Sequence, residues 1–175
     1  MIRERLDKVI RTVPDFPKKG IDFKDITSIL LDDKLSNEIV QSFSDKFKDI
    51  DFDAIIGIES RGFLFGFLLA NKLGVPFIPV RKAGKLPGKT IKYKYDLEYG
   101  SSEIEIHCND IQEGWNILIH DDLLATGGTA SAAAELVLKS KANVAAFAFI
   151  VNLAYLDGQI QLDKYTNNII SLTNY

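Results

Sequence analysis

The sequence predicts an α/β domain with a central, mainly parallel sheet flanked by helices. Short apolar runs recur along the chain at Ala54–Ile58, Val75–Val80, Asn116–His120 and Val144–Val151. They are long enough for buried strands and too short for helices, and they lack the polar alternation of a strand with one wet face. Segments of helical period, such as Phe63–Leu73 and Ala130–Lys139, stand between them. Strands alternating with helices give a parallel sheet covered on both faces. With 175 residues the chain makes one domain (1–175) large enough for a real core.

In chain order, Ile2–Arg11 places Ile2, Leu6, Val9 and Ile10 on one side of an amphipathic helix. The prolines and glycine of residues 13–27 exclude a regular helix, so Phe16, Ile21, Phe23 and Ile26 anchor an N-terminal strap within residues 1–33. Lys34–Ile50 carries Leu35, Ile39, Phe43 and Phe47 at helical spacing. The strand Ala54–Ile58 runs into Glu59-Ser60-Arg61-Gly62 and the helix Phe63–Leu73, where Gly66 permits close packing. Ligands of open α/β sheets sit beyond the carboxyl ends of strands, which is where Ser60 and Arg61 fall. Arg61 therefore suits an anionic group, although a cap or salt bridge is the plainer alternative.

Val75–Val80 leads into residues 81–89, where Arg81, Lys82, Lys85 and Lys89 are interrupted by Gly and Pro. A run of cations leaving the same sheet edge can neutralise a polyphosphate. Lys92–Tyr99 alternates polar with aromatic or apolar residues and suits a two-stranded arm, a mobile lid over residues 84–102 with Gly88 and Gly100 as hinges. Ile104–Cys108 and Ile169–Leu172 are further strands, with a turn at Gln112–Gly114.

Composition narrows the function classes. A net charge of −3 gives no basic surplus for nucleic acid. No apolar stretch approaches membrane-spanning length, and the charged N-terminus lacks the apolar core of a signal peptide. The single cysteine, Cys108, excludes an intrachain disulfide and points to a cytoplasmic protein. Cys108 reads as a packed small hydrophobe.

The most informative stretch is Asn116–Lys139. A buried strand, a glycine-bearing loop and a helix start form an anion cradle, because the first helical amides have no intrahelical partners. Ala125, Thr126, Gly127, Gly128 and Thr129 make that loop, and the two threonines add hydroxyl donors. No Gly-Lys-Ser/Thr follows, which excludes a nucleoside-triphosphate P-loop, and G-x-G-x-x-G is absent. Asp121 and Asp122 precede the loop. Carboxylates repel phosphate, so they must face sugar hydroxyls or a cation. A ribose 5-phosphate satisfies both halves, with phosphate on Ala125–Thr129 and ribose on the acids.

HDDLLATGGTA resembles the phosphoribosyl-diphosphate (PRPP) motif of type I phosphoribosyltransferases, and its DDLLATGGT form resembles that of the adenine phosphoribosyltransferases. The segment from Pro14 to Thr27 is similar to that family's PDFPxxGIxFxDIT hood. The resemblance implies adenine recognition at Asp22 and Phe23, with Lys24 where the family has arginine. A lysine is a point donor without the planar fork. It further implies diphosphate binding by Ser60, Arg61, Arg81, Lys82 and Lys85, a lid tyrosine at Tyr99, and a leucine backing the purine at Leu156 or Leu153.

The implied reaction is adenine plus PRPP giving AMP and diphosphate, with Arg61, Glu98 and Tyr99 at the reacting groups. Glu98 is either the carboxylate that handles the purine proton or a surface acid on the hairpin. Mg²⁺ is expected as cofactor, held mainly through PRPP, diphosphate and water rather than by direct protein ligands. The expected partners are adenine, PRPP and a second copy of the chain in a homodimer. Two rival readings are the same chemistry on an oxopurine and a non-enzymatic PRPP sensor.

Overall fold

The computed structural model describes residues 1–16, 19, 22–96 and 100–175. A seven-stranded sheet has the order β5-β6-β4-β3-β7-β8-β9. Its strands are β3 (Ala54–Ile58), β4 (Phe77–Lys82), β5 (Thr90–Asp96), β6 (Ser101–His107), β7 (Asn116–Leu124), β8 (Asn143–Asn152) and β9 (Ile169–Asn174). Pairings among β4, β3, β7, β8 and β9 are parallel, whereas β6 joins β4 and β5 antiparallel. The mainly parallel sheet therefore matches the expectation. A ribbon of β1 (Arg11–Val13) and β2 (Phe23–Asp25) folds the strap back on itself, which the prolines of the segment do not reveal.

Helices cover both faces. On one face α1 (Ile2–Val9), α2 (Asp33–Lys46) and α3 (Gly62–Leu73) bury Leu6, Phe43, Phe65 and Leu69 against Ile55, Leu118 and Ala148. On the other, α4 (Gly128–Lys139) buries Leu136 and Val137 against Ile56, Ile119 and Phe147. Helix α3 sits directly on β3. A Cβ on Gly66 would come within 2.9 Å of the Phe77 ring and 3.6 Å of the Gly57 Cα, so Gly66 does permit the close packing expected of it. A short helix, α5 (Gly158–Leu162), abuts the loop between β7 and α4. A Cβ on Gly158 would lie 2.1 Å from the Ala125 carbonyl oxygen.

Several boundaries differ from the sequence expectation: α1 stops at Val9 instead of Arg11, α2 at Lys46 instead of Ile50, and β4 is shifted from Val75–Val80 to Phe77–Lys82. Two further differences shape the cleft. Strand β7 does not stop at His120 but runs to Leu124, because β8 continues alongside and pairs Asp121 with Phe149 and Leu124 with Asn152. Helix α4 starts at Gly128 rather than Ala130, since the Gly127 carbonyl accepts from Ser131 N–H at 2.8 Å. The arm is a hairpin of β5 and β6. Its inner face, with Ile91, Tyr93 and Tyr95, packs on the core, and Lys92 and Lys94 point outward.

His120 is fully buried, its ring edge-on to Phe43 at 5.8 Å, and neither ring nitrogen has a well-aligned hydrogen bond. Burial pushes its pKa from 6.5 down to about 4, against a smaller pull from the Ala148 backbone. Above pH 6.5 the imidazole is neutral in both folded and unfolded chains. Between 6.5 and 4 the unfolded chain takes up the proton first, so the folded state loses up to about 3 kcal/mol. Urea unfolding at pH 7 and pH 4.5 checks this. His120→Val is expected to lose less stability than the wild type over that interval, and equal losses would remove His120 as the cause.

Candidate active site

The cleft exists because β3 is short. Its last pairs are Gly57 with His120 on one side and Ile58 with Val80 on the other. Both neighbours continue, β7 through Asp121 and Asp122 and β4 through Arg81 and Lys82. The chain leaves β3 one way to β4, while β7, β8 and β9 lie on the other side. The gap is thus a switch point at the carboxyl ends of the strands. Glu59, Ser60 and Arg61 turn across its floor into α3, and the Glu59–Ser60 peptide is cis. Ser60, Arg61, Lys82, Asp121, Asp122 and Thr129 all line this one cleft. It adjoins a depression lined by Leu123 and the loop from Ala125 to Thr129, with Asp121 and Thr129 common to both.

Arg61 is central. Its Nε lies 2.9 Å from Asp122 Oδ2, and its guanidinium stands 5.3 Å from the Phe23 ring centre. One side chain therefore connects the α3 turn, the acid pair and the hood. Gly62 is required beside it, because a Cβ there would come within 2.9 Å of Asp121 Oδ1 and 3.0 Å of the His120 carbonyl oxygen. Asp121 Oδ1 accepts the Asp122 N–H at 2.9 Å. Burial, reinforced by the Asp122 charge, raises the Asp121 pKa well above the usual carboxylate value, and Arg61 only partly opposes this. Two adjacent acids thus differ: Asp122 is paired with a cation, and Asp121 has a raised proton affinity.

The cationic rim is braced by two acids that sequence reasoning overlooked. Glu59 accepts from Arg81 Nε at 3.2 Å and Nη2 at 3.3 Å, and from the Lys82 N–H at 2.9 Å. The Arg81 hydrogen bond is the main reason its pKa is lowered, with burial opposing. Arg81 is therefore tied to the cleft floor. Lys82 reaches the cleft, and among the described residues its ammonium makes no ion pair. Glu105, buried on β6, accepts the N–H groups of Lys85 and Leu86 at 2.9 Å each and the Thr90 hydroxyl at 3.0 Å. Burial alone would raise its pKa, but these donors and Lys92 outweigh it and hold the pKa below the ordinary value. Glu105 was detectable as a lone acid between two apolar residues in SEIEIH, and Glu59 as the acid beside Ser60-Arg61.

At the loop between β7 and α4, Gly127 has φ of 85°, and a Cβ there would come within 2.6 Å of the Gly158 carbonyl oxygen. The amides of Gly128, Thr129 and Ala130 open helix α4 without intrahelical partners. Thr126 is exposed, and the Thr129 hydroxyl faces the Tyr95 hydroxyl at 3.2 Å. In the hood, Phe23 packs edge-on to Phe16 at 5.3 Å and Asp22 is exposed. The Lys24 ammonium donates to Thr12 Oγ1 at 3.0 Å and lies 4.3 Å from the Tyr175 ring centre. Leu156 is partly exposed on the turn after β8, whereas Leu153 is buried at the strand's end. Ile21, Glu98 and Tyr99 lie outside the described residues.

The phosphoribosyl transferase domain family matches residues 23–173. The chain is 45% identical over 175 residues to an adenine phosphoribosyltransferase of Cytophaga hutchinsonii, covering 100% of this chain and 97% of that protein. It is 48% identical over 175 residues to that of Thermoanaerobacter pseudethanolicus, covering 100% of both. The crystal structure of a T. pseudethanolicus adenine phosphoribosyltransferase superposes with a TM-score of 0.95 at 47% identity, covering 100% of both chains. That of the Saccharomyces cerevisiae enzyme, complexed with an imino-altritol bisphosphate and adenine, gives 0.92 at 41% identity, covering 98% of both. A short β3 between an acid-bearing strand and a cationic one, with a helix-start loop beside them, is the arrangement that these relationships explain: the chain belongs to the adenine phosphoribosyltransferase family.

Proposed function

We propose that this chain transfers the 5-phosphoribosyl group of PRPP to adenine, giving AMP and diphosphate in purine salvage. The observation that carries this reading is one cleft holding an acid pair, a helix-start anion loop and a cationic rim. The amides of Gly127, Gly128 and Thr129, with the Thr126 and Thr129 hydroxyls, hold the 5-phosphate and supply binding energy away from the reacting carbon. Asp121 and Asp122 take the ribose hydroxyls. As the bond from C1 to the diphosphate oxygen breaks, its electron pair leaves with diphosphate and positive charge builds on the ribose, where the Asp122 carboxylate opposes it. The adenine N9 lone pair forms the new bond at C1, and the proton on N9 passes to Glu98, with Tyr99 assigned to the reacting groups by the family resemblance alone. Ser60, Arg61 and Lys82 receive the diphosphate, supported by Arg81 and Lys85. Phe23, beside Arg61, brings the hood to the base.

The donor set fits Mg²⁺ bound largely through substrate. Among the described residues no three His, Cys, Asp or Glu groups converge on one point, and Asp122 already faces Arg61. An ion that keeps its waters and takes diphosphate oxygens suits such a cleft, where it would neutralise leaving-group charge. The exposed apolar row Leu64, Phe67 and Leu68 on α3 favours a homodimer built on that face. No described helix is long and apolar enough to cross a membrane, and with a single cysteine in the chain we assign the reaction to the cytoplasm.

Three measurements test this reading. Purified protein given PRPP, Mg²⁺ and adenine, hypoxanthine, guanine or xanthine in turn is expected to form nucleotide from adenine alone, and to slow sharply when EDTA replaces Mg²⁺. Turnover of an oxopurine would keep the PRPP site and overturn the hood assignment, and PRPP binding without turnover would favour a sensor. Glu98→Gln is expected to lower kcat by about 10²–10⁴-fold with little change in the KM for PRPP; an unchanged kcat would return Glu98 to a surface acid. Sedimentation velocity is expected to show a dimer that Phe67→Glu dissociates, and a dimer indifferent to this change would move the interface elsewhere.

A further inference from the structure

Tyr95 lies on the inner face of β5, and its hydroxyl stands 3.2 Å from Thr129 Oγ1 at the start of α4. Both side chains border the cleft. The Tyr95 ring passes close to Gly128, where an added Cβ would lie 3.9 Å from ring atom Cδ2. Farther along the same contact, the Lys139 ammonium donates to the Lys92 carbonyl at 3.0 Å and lies 5.0 Å from the Tyr93 ring centre. Strand β5 is thus fastened along α4 near both of the helix's ends.

Two facing hydroxyls share a single hydrogen between them, so its direction matters. A phenol is the stronger acid and the better donor, and an aliphatic hydroxyl is the better acceptor. With Tyr95 donating to Oγ1, the hydrogen of Thr129 is directed away from Tyr95 and is free for an anionic oxygen at the helix start. With the direction reversed, Thr129 would present only lone pairs to that anion and repel it. We propose that Tyr95 is a positioning residue for the 5-phosphate, acting by orienting the Thr129 hydroxyl as a donor. The proposal rests on the reading that the Ala125–Thr129 loop holds that phosphate.

The test is a double-mutant cycle of Tyr95→Phe and Thr129→Val, read by calorimetric PRPP affinity and by steady-state kinetics. Tyr95→Phe keeps the ring and its packing. It is expected to weaken PRPP by about 3- to 10-fold, the effect of one neutral hydrogen bond. The loss should appear in the KM for PRPP and not in the KM for adenine, and the melting temperature should fall only by the few degrees that one lost hydrogen bond costs, about 2–4 °C. Thr129→Val is expected to weaken PRPP at least as much, and the double variant no more than Thr129→Val alone. Weakening by Thr129→Val with wild-type affinity in Tyr95→Phe would overturn the role of Tyr95 and leave the phosphate assignment standing. Full PRPP affinity in Thr129→Val would overturn the proposal and leave the 5-phosphate to the loop amides. Additive losses, or equal losses in kcat and in both KM values, would reduce Tyr95 to packing.

Discussion

The early end of β3 is the constraint on which the site depends. A parallel strand that stops between two longer neighbours leaves their last residues without a partner on the inner side. Here those residues are Asp121 and Asp122 on β7 and Arg81 and Lys82 on β4. Opposite charges face one another across a gap floored by the Glu59–Arg61 turn. Backbone pairing on the outer sides, with β8 and with β6, keeps the two walls rigid. The site is therefore set by sheet edges rather than by loops alone, which favours the precise placement that group transfer needs.

Charge in the cleft is arranged in braced pairs with some groups left for substrate. Asp122 is paired with Arg61, and Arg81 with Glu59, while Glu105 collects the amides of the loop after β4. Buried charges persist only where such partners offset desolvation. Lys82 and the helix-start amides are available in this arrangement, and both suit anions. Asp121, half-buried next to a like charge, has its pKa raised above the usual carboxylate value. The result is a cleft with an anionic wall and a cationic rim, the two surfaces that the proposed ribose and phosphate contacts call for.

Much of this was legible in the chain. The strands Ala54–Ile58 and Val144–Val151 were readable because strands buried on both faces need continuous apolar runs. Helix α3 was readable from its period, and the loop from Ala125 to Thr129 from glycines in a strand–helix context. Less visible were the supports. Glu59 and Glu105 look like ordinary surface acids until the fold brings them to Arg81 and to the amides of Lys85 and Leu86. Tyr95 reads as one of several arm aromatics, and only its seat on α4 sets it against Thr129. Gly158 gives no local signal that the loop between β7 and α4 rests on it.

By itself the sequence determined the order of the main sheet strands and of the long helices, the residue types at each strand end and the chemistry they suit, because hydrophobic period and turn residues act over a few neighbouring positions. Tertiary structure alone decided where β7 ends, where Lys24 directs its ammonium and which acids brace which cations. Strand β7 reaches Leu124 because β8 lends it hydrogen-bond partners. The Lys24 ammonium goes to Thr12 and the Tyr175 ring because a ribbon and the last strand meet there. Such contacts join residues far apart in the chain, and their energies depend on a geometry that no local window contains.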